Sequence, residues 1–536
     1  MDTPELTLAE LKMLRELSQA LDDLLEQSLK AREGLAQTFR RAFPPMMRLT
    51  GAKGIAVTTK NEELEDETFA HGDFGGASPA QLTAGSSFGV RLLAGGDTFV
   101  SQSLDLVGHP VGSLGVVFDG DRTHDAARLL RVTDTIAEEL DTVLASIQTA
   151  AEKHQLLVAV NRSLGSRVFE VGMDGAVRAL CDSVDLPGFC VLYRDAVDSA
   201  ALHYRFYRHG QLEYASNGRR LEALDAAIHR HGPGLVAPHD RHLKDVWGGR
   251  RAFETVLISG SAESGSLGKI LVWSATGERF SAYTMDLLQL LASTLSQRLI
   301  DYNRERIHLA QFFSGPTIDK LLQDPDYERR YLDPRAEDIG ILFADINSFT
   351  RICEQVLERP ERIGTFVDDW SAEAVRIVHR HGGVFDKMVG DCVIGLWGPP
   401  FFADPPAERA AGALKAAIEI QRFTSETMSA HPKVSRLAEL TGLPGLGVAI
   451  GVNLAQSSCG LFGPNRSYTS FSTGMNQAAR LQGLGGFRET LVMESALEAL
   501  ASVADPKLRA LRFGPVQEKA VKNVAQPLRY ASLLRD

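Results

Sequence analysis

The chain moves between two rhythms of apolar residues. Over residues 5–40, Leu11, Leu14, Leu17, Leu21, Leu24, Leu25 and Leu29 recur at helical spacing and predict one amphipathic helix. Thr7 and Glu10 stand ahead of it as a capping box would. Such a stripe can pack on the next domain or on a partner chain. Residues 45–120 carry short alternating runs and Gly-rich turns, the pattern of strands. Two long helical stretches follow. In the first, Ile136, Leu140, Val143, Ile147 and Ala150 keep a 4-3-4-3 spacing, and the helix runs on towards Leu157. The second covers residues 280–313, with Leu288, Leu291, Leu295, Leu299 and Tyr302 on one side. At ~1.5 Å per residue it would span roughly 50 Å. Both stripes predict a parallel dimer seam, with core packing as the alternative. Gly315-Pro316 reads as a helix end, and residues 323–337 as a polar linker.

An internal repeat links these stretches. Gly112-Ser-Leu-Gly115 opens a strand that ends near Phe118, and Gly265-Ser-Leu-Gly268 opens another 153 residues later. Each strand leads through a charged turn, Gly120-Asp121-Arg122 or Gly277-Glu278-Arg279, into an amphipathic helix. Two copies of one α+β sensor module are expected.

Beyond residue 335, strands and helices alternate. The run 339–344, IGILFA, is too apolar for a surface strand and too short for a core helix. A helix over 361–380 turns Phe366, Val367, Trp370, Ala374, Ile377 and Val378 inward. Residues 384–397, VFDKMVGDCVIGLW, read as strand, turn and strand. The turn is Met388-Val389-Gly390-Asp391, with Gly390 free to take the angle side chains resist. Lys387 and Asp391 then sit at a hairpin tip. A helix over 407–428, entered by Asp404-Pro405-Pro406, precedes a central strand over 445–452. Another helix includes 476–481, and 527–534 is a closing strand.

Composition narrows the class. With 536 residues, about three domains are expected. A net charge of −11 argues against general nucleic-acid binding. Five scattered cysteines without CxxC spacing suit a reducing compartment. No apolar run is long enough for a membrane span, and the acidic N-terminus lacks the order of a signal peptide. A cytoplasmic protein is the expectation.

Two aspartates carry the candidate chemistry. Asp345 stands where the buried strand stops, and Asp391 at the hairpin turn. Two such carboxylates repel by ~4 kcal/mol at 4 Å in an intermediate dielectric. A divalent cation between them removes that cost. Mg²⁺ prefers one or two carboxylates plus substrate phosphates over a full protein cage.

The segments FADINSFT (residues 343–350), FDKMVGD (385–391) and YTSFSTGMNQAARL (468–481) resemble the catalytic domain of class III nucleotidyl cyclases. The resemblance covers about 200 residues from 335 onward. It implies a ferredoxin-like βαββαβ core and conversion of a nucleoside triphosphate to its 3′,5′-cyclic monophosphate and pyrophosphate. It implies two Mg²⁺ (or Mn²⁺) ions held by Asp345, Ile346 and Asp391. Backbone N–H groups of residues 346–350, Phe349 and Thr350 among them, would hold the triphosphate, with Lys522 on the terminal phosphate. Arg480 would stabilise the transition state, and Asn476, four residues earlier, would orient the ribose. Lys387 would donate to adenine N1 and Thr469 accept from its amine, which makes ATP the expected substrate. In the family the two halves of each site come from different subunits, so a homodimer is implied. The family's threonine at the position of Thr469 marks a subclass similar to bicarbonate-responsive cyclases.

The upstream modules resemble GAF domains in their strand-turn-helix ending. GAF domains bind small molecules or only dimerise, so an unknown small-molecule ligand is an implied partner. The NKxnFxxxDE pattern of cyclic-nucleotide-binding GAF domains is not matched. The expected plan is an N-terminal helix (1–40), GAF-like domains (41–150 and 151–300), a linker helix (301–334) and the cyclase domain (335–536). Three positions depart from the cyclase pattern. Ser472-Thr473 replaces Gly-Asp, Asn453-Leu454-Ala455 replaces His-x-Gly, and Ser348 replaces a glycine. A catalytically silent nucleotide-binding sensor, a guanylyl cyclase and a helical scaffold are the rival readings.

Overall fold

The computed structural model describes residues 8–534 except 32, 62, 85–87, 107–108, 199, 239, 241, 244–251, 259–264, 275–277, 523 and 525. Thr7 of the expected capping box and Gly277 of the second charged turn lie outside the described residues. The chain divides into two compact units. One comprises residues 1–163, 175–185 and 280–291; the other comprises 164–174, 186–279 and 292–536.

In the first unit the expected single N-terminal helix is two. α1 (Leu8–Ala31) stops before Gly34, and α2 (Leu35–Thr50) continues through Pro44 and Pro45. Leu17, Leu21 and Leu25 of α1 and Phe39, Phe43 and Met46 of α2 are buried in one core. That core includes the inner face of an antiparallel sheet: β1 (Ala52–Lys60), β2 (Asp66–Gly72), β3 (Gly89–Leu92), β4 (Thr98–Leu106) and β5 (His109–Phe118). The leucine stripe therefore packs on its own module. α3 (Ala126–Leu164) closes the core with Ile136, Leu140 and Val143. Residues of the same chain thus cover Ile136, Leu140 and Val143 of the expected seam, while Ile147 is half-buried and Ala150 exposed.

The second unit holds a similar sheet. β6 (Gly188–Arg194), β7 (Leu202–Arg208), β8 (Gln211–Ala215), β9 (Ala252–Ile258) and β10 (Ser266–Trp273) lie in the order 8-7-6-10-9. The first sheet runs 2-1-5-4-3. Counted within each module, both contain the run 2-1-5-4 and differ only in where the third strand joins. The repeat noted in sequence thus corresponds to a shared four-strand core. Its glycines sit where a Cβ cannot: one at Gly115 would lie 2.8 Å from the Phe99 ring, and one at Gly268 2.5 Å from the Leu192 carbonyl oxygen.

α4 (Ala282–Leu309) ends earlier than the sequence suggested, and Leu288, Leu291, Leu295 and Leu299 are buried within the chain, not presented as a seam. Gly315-Pro316 does not end a helix; it opens α5 (Gly315–Leu322), with proline in the first turn. Among the described residues no helix is long and apolar enough to cross a membrane.

The C-terminal domain is built on β11 (Arg335–Ile346), α6 (Pro360–Arg380), β12 (Val384–Val389), β13 (Cys392–Trp397), α7 (Pro406–Arg422) and β14 (Val448–Phe462). These six form a βαββαβ unit with sheet order 12-13-11-14, all neighbours antiparallel. This is the ferredoxin-like arrangement. β14 runs ten residues past the expected strand. It also pairs with β15 (Ser467–Phe471), a short polar strand that gave no sequence signal. α8 (Thr473–Gln482) follows, then β16 (Thr490–Met493). β17 (Arg512–Phe513), β18 (Gln517–Lys519) and β19 (Leu528–Leu534) complete the edge.

Candidate active site

β11 is buried on both faces. Ile339, Ile341 and Phe343 pack with Met475 and Ala478 of α8, while Leu342, Ala344 and Ile346 pack with Trp370 of α6 and Leu414 of α7. That double burial explains the unbroken apolar run. The run brings Asp345 to the strand's end, half-buried, on the face that α8 covers.

The β12–β13 turn is tighter than expected. Val389 pairs with Cys392, leaving only Gly390 and Asp391 in the loop, with Gly390 at φ +64°. Asp391 Oδ2 accepts the Ile346 N–H at 3.0 Å, which stitches the turn to the end of β11. Asp345, Ile346 and Asp391 are thereby brought together. Burial raises the pKa of both carboxyls; for Asp391, to about 7, with the negative charge of Asp345 as the second cause. The two carboxyls lie close enough that the charge on one disfavours ionisation of the other, so the pair holds a proton more readily than a lone carboxyl would. A pair that must share a proton when alone suits a divalent cation, which would discharge both. Gln482 Nε2 of α8 also reaches Asp345 Oδ2, at 3.5 Å.

Phe349 and Thr350 begin a short helical turn just past these acids, Phe349 half-buried and Thr350 exposed. Ser348 before them adopts φ +58°, the left-handed conformation that favours glycine.

A second cluster forms around β12 and β15. Lys387 lies within β12, not at the hairpin tip, and its Nζ donates to Thr469 Oγ1 at 3.1 Å. A bulge makes this reach possible: Phe385 pairs with Gly395 and Lys387 with Ile394, so Asp386 is the extra residue between them. Thr469 is itself buried, opposite Gly460 of β14.

α8 presents the third group. Met475, Ala478 and Leu481 are buried, whereas Asn476 and Arg480 are exposed, one turn apart. The departures noted in sequence anchor this helix. Ser472 accepts from the Met475 N–H at 3.0 Å as its cap, and Asn453 Nδ2 donates to the Gly474 carbonyl at 3.0 Å. Lys522 is exposed between β18 and β19, and among the described residues no bond joins it to the other candidates.

Sequence reasoning missed three features. Asp386 is buried beside Lys387. Gln482 touches Asp345. The segment after α4 docks on the domain: the Phe312 carbonyl accepts from the Phe385 N–H at 3.1 Å and lies 3.3 Å from His379 Nε2. Phe313 packs edge-on against Tyr468, with ring centroids 5.0 Å apart. Burial lowers the pKa of His379, so its neutral ring meets that carbonyl as a donor. An aspartate inside an apolar strand, and paired aromatics after a long helix, were the available signals.

Residues 332–526 match the family model described as the adenylate and guanylate cyclase catalytic domain. An adenylate cyclase of Anabaena cylindrica is 30% identical over 146 residues, 27% of this chain and 26% of that protein. An uncharacterized protein of Mycobacterium tuberculosis is 24% identical over 180 residues, 33% of this chain and 30% of that one. The matches thus span under a third of these relatives' length. Among solved structures, the adenylyl cyclase CyaB from P. aeruginosa is similar with a TM-score of 0.32 and 20% identity, covering 38% of this chain and 97% of that one. The guanylyl cyclase Cya2 is similar with a TM-score of 0.31 and 21% identity, covering 38% and 93%. Residues 332–526 are a class III nucleotidyl cyclase catalytic domain, of the adenylyl or guanylyl kind.

Proposed function

We propose that the chain is an adenylate cyclase, forming 3′,5′-cyclic AMP and pyrophosphate from ATP, and that it works as a homodimer through its catalytic domains. The observation that carries the choice of ATP is the Lys387–Thr469 pair at 3.1 Å. The lysine donates to adenine N1, which accepts; guanine presents N1–H there instead. Mispairing a donor that the bound base would bury costs about 1–3 kcal/mol, which favours ATP about ten- to a hundredfold.

Asp345, Asp391 and the Ile346 backbone would hold two Mg²⁺ or Mn²⁺ ions. When bound, these ions lower the pKa of the 3′-hydroxyl and neutralise charge on the phosphates. The chain's own groups do the rest. N–H groups at Phe349 and Thr350 cradle the triphosphate, and Lys522 reaches the terminal phosphate. Asn476 holds the ribose so that the 3′-oxygen faces the α-phosphorus. That oxygen forms the new P–O bond as the bond to the pyrophosphate oxygen breaks. Arg480 meets the negative charge that grows on the α-phosphate. Asn476 and Arg480 stand exposed on α8, which supports their serving a site completed by a second copy.

The two upstream modules are read as GAF-like sensors. The docking of Phe312 and Phe313 on β12 and Tyr468 supports a route from the second module to the catalytic domain. The deciding assay measures cyclic AMP and cyclic GMP from ATP and GTP with Mg²⁺ or Mn²⁺. Cyclic AMP that vanishes in Asp345→Ala is the expected result. No product from dimeric protein would favour a silent nucleotide-binding sensor, and cyclic GMP as the main product a guanylyl cyclase.

A further inference from the structure

The chemistry above leaves Asp386 unused. Its side chain has no exposed surface and lies 3.6 Å from the Lys387 ammonium. Neither carboxylate oxygen has a partner at ordinary hydrogen-bond geometry. The Thr469 hydroxyl and the Ser470 N–H are nonetheless near enough to favour the charged form against burial, the main force raising its pKa. A buried carboxylate whose oxygens accept no hydrogen bond is costly, and this one is ion-paired with Lys387, one of the two groups proposed to read a base.

A hydroxyl has one proton to give and two lone pairs to offer. Thr469 already accepts from Lys387 Nζ at 3.1 Å, which occupies one lone pair. A carboxylate can only accept. Neither Asp386 oxygen is in bonding geometry with the Thr469 hydroxyl here; a small shift of the two side chains towards each other, with the hydroxyl proton turned to the carboxylate, gives the aspartate the bond it lacks. It also turns the second Thr469 lone pair outward. Left free, the same hydroxyl could donate to guanine O6 as readily as it accepts from adenine's amine.

We infer that Asp386 is a specificity-determining positioning residue: by taking the Thr469 proton it fixes that hydroxyl as an acceptor for the exocyclic amine of adenine. The inference rests on the reading that Lys387 and Thr469 select the base. Asp386 touches no substrate itself; it acts through Thr469.

The test compares kcat/KM for ATP and GTP in the full chain carrying Asp386→Asn, Thr469→Val and both. An asparagine amide can donate to Thr469 and turn its proton outward. The ATP-over-GTP ratio should fall about tenfold in Asp386→Asn. It should fall no further in the double variant than in Thr469→Val alone. An unchanged ratio in Asp386→Asn, an equal loss for both substrates, or an additive fall in the double variant overturns the inference. A Thr469→Val ratio that matches the parent overturns the base reading beneath it, a distinct failure. If Asp386→Asn does not fold, Asp386→Ala, which leaves Thr469 free to rotate, is judged by the same criteria. Variants too slow to assay are compared by ATP and GTP competition against a fluorescent nucleotide.

Discussion

Replacing Asp391 by asparagine separates the cost of the paired acids from their use. In the parent, two like charges close together cost about 4 kcal/mol at 4 Å in an intermediate dielectric. Both carboxyls are partly open to solvent, which reduces the net burden to about 1–2 kcal/mol. The sign follows from the raised pKa of Asp391. Its contribution to stability is complete below the ordinary carboxyl range near 4 and is lost as pH rises through about 7. Asparagine keeps the hydrogen bonds, since its oxygen can accept from Ile346 and its amide can donate to Asp345. In EDTA at pH 8, Asp391→Asn should therefore melt about 2–8 °C above the parent. Mn²⁺ at a hundred times its dissociation constant should add about 2.7 kcal/mol to the parent and far less to the variant, which has lost one of two carboxylate ligands. Differential scanning calorimetry with and without Mn²⁺ reads both effects without any turnover. A variant no more stable in EDTA, together with equal Mn²⁺ stabilisation of the two proteins, would refute a shared cation site.

Three further outcomes are expected. Arg480→Ala should lower kcat about 10²–10³-fold while leaving the melting temperature unchanged, because the side chain is exposed. Asp386→Asn should stabilise the domain by about 1–3 kcal/mol at pH 7. The raised pKa of Asp386 means its penalty appears as pH rises, so the gain should vanish towards pH 4 in thermal melts. Phe313→Ala should destabilise by about 3–5 kcal/mol, measured by calorimetry, since the ring is buried against Tyr468.

Different parts of the site were legible for different reasons. Asp345 could be read from sequence because a strand buried on both faces leaves an unbroken apolar run, and a carboxylate at its end stands out. Asp391 was legible through Gly390, whose backbone freedom marks the turn. Asp386 was not, because its burial depends on a bulge, and a bulge breaks the two-residue period by which inward and outward positions are told apart. β15 was missed because Ser-Tyr-Thr-Ser-Phe carries no apolar alternation; β14, not its own sequence, makes it a strand. The helical seams show the limit of periodicity from the other side. Spacing announced that Ile136, Leu140 and Val143 face something, but α1 and α2 supply that surface, and the spacing is the same whether the partner is the same chain or another.

The linker contacts suggest what a signal from the second module would change. Arg306 on α4 is buried between Asp195, 2.9 Å away beyond β6, and Asp319 on α5. Six residues later the chain reaches Phe312, bonded to β12, and Phe313, packed on Tyr468, the residue before Thr469 on β15. Two neighbouring linker residues thus touch the two strands that carry Lys387 and Thr469, whereas among the described residues no hydrogen bond runs from the linker to Asp345 or Asp391. A shift of α4 would act first on how the base is held and only afterwards on the cations. Arg306→Ala, which strips Asp195 of a buried partner, should raise KM for ATP while leaving the Mn²⁺ dependence of kcat in place. A changed Mn²⁺ dependence with KM unaltered would place the coupling elsewhere, through the pairing of the two catalytic domains.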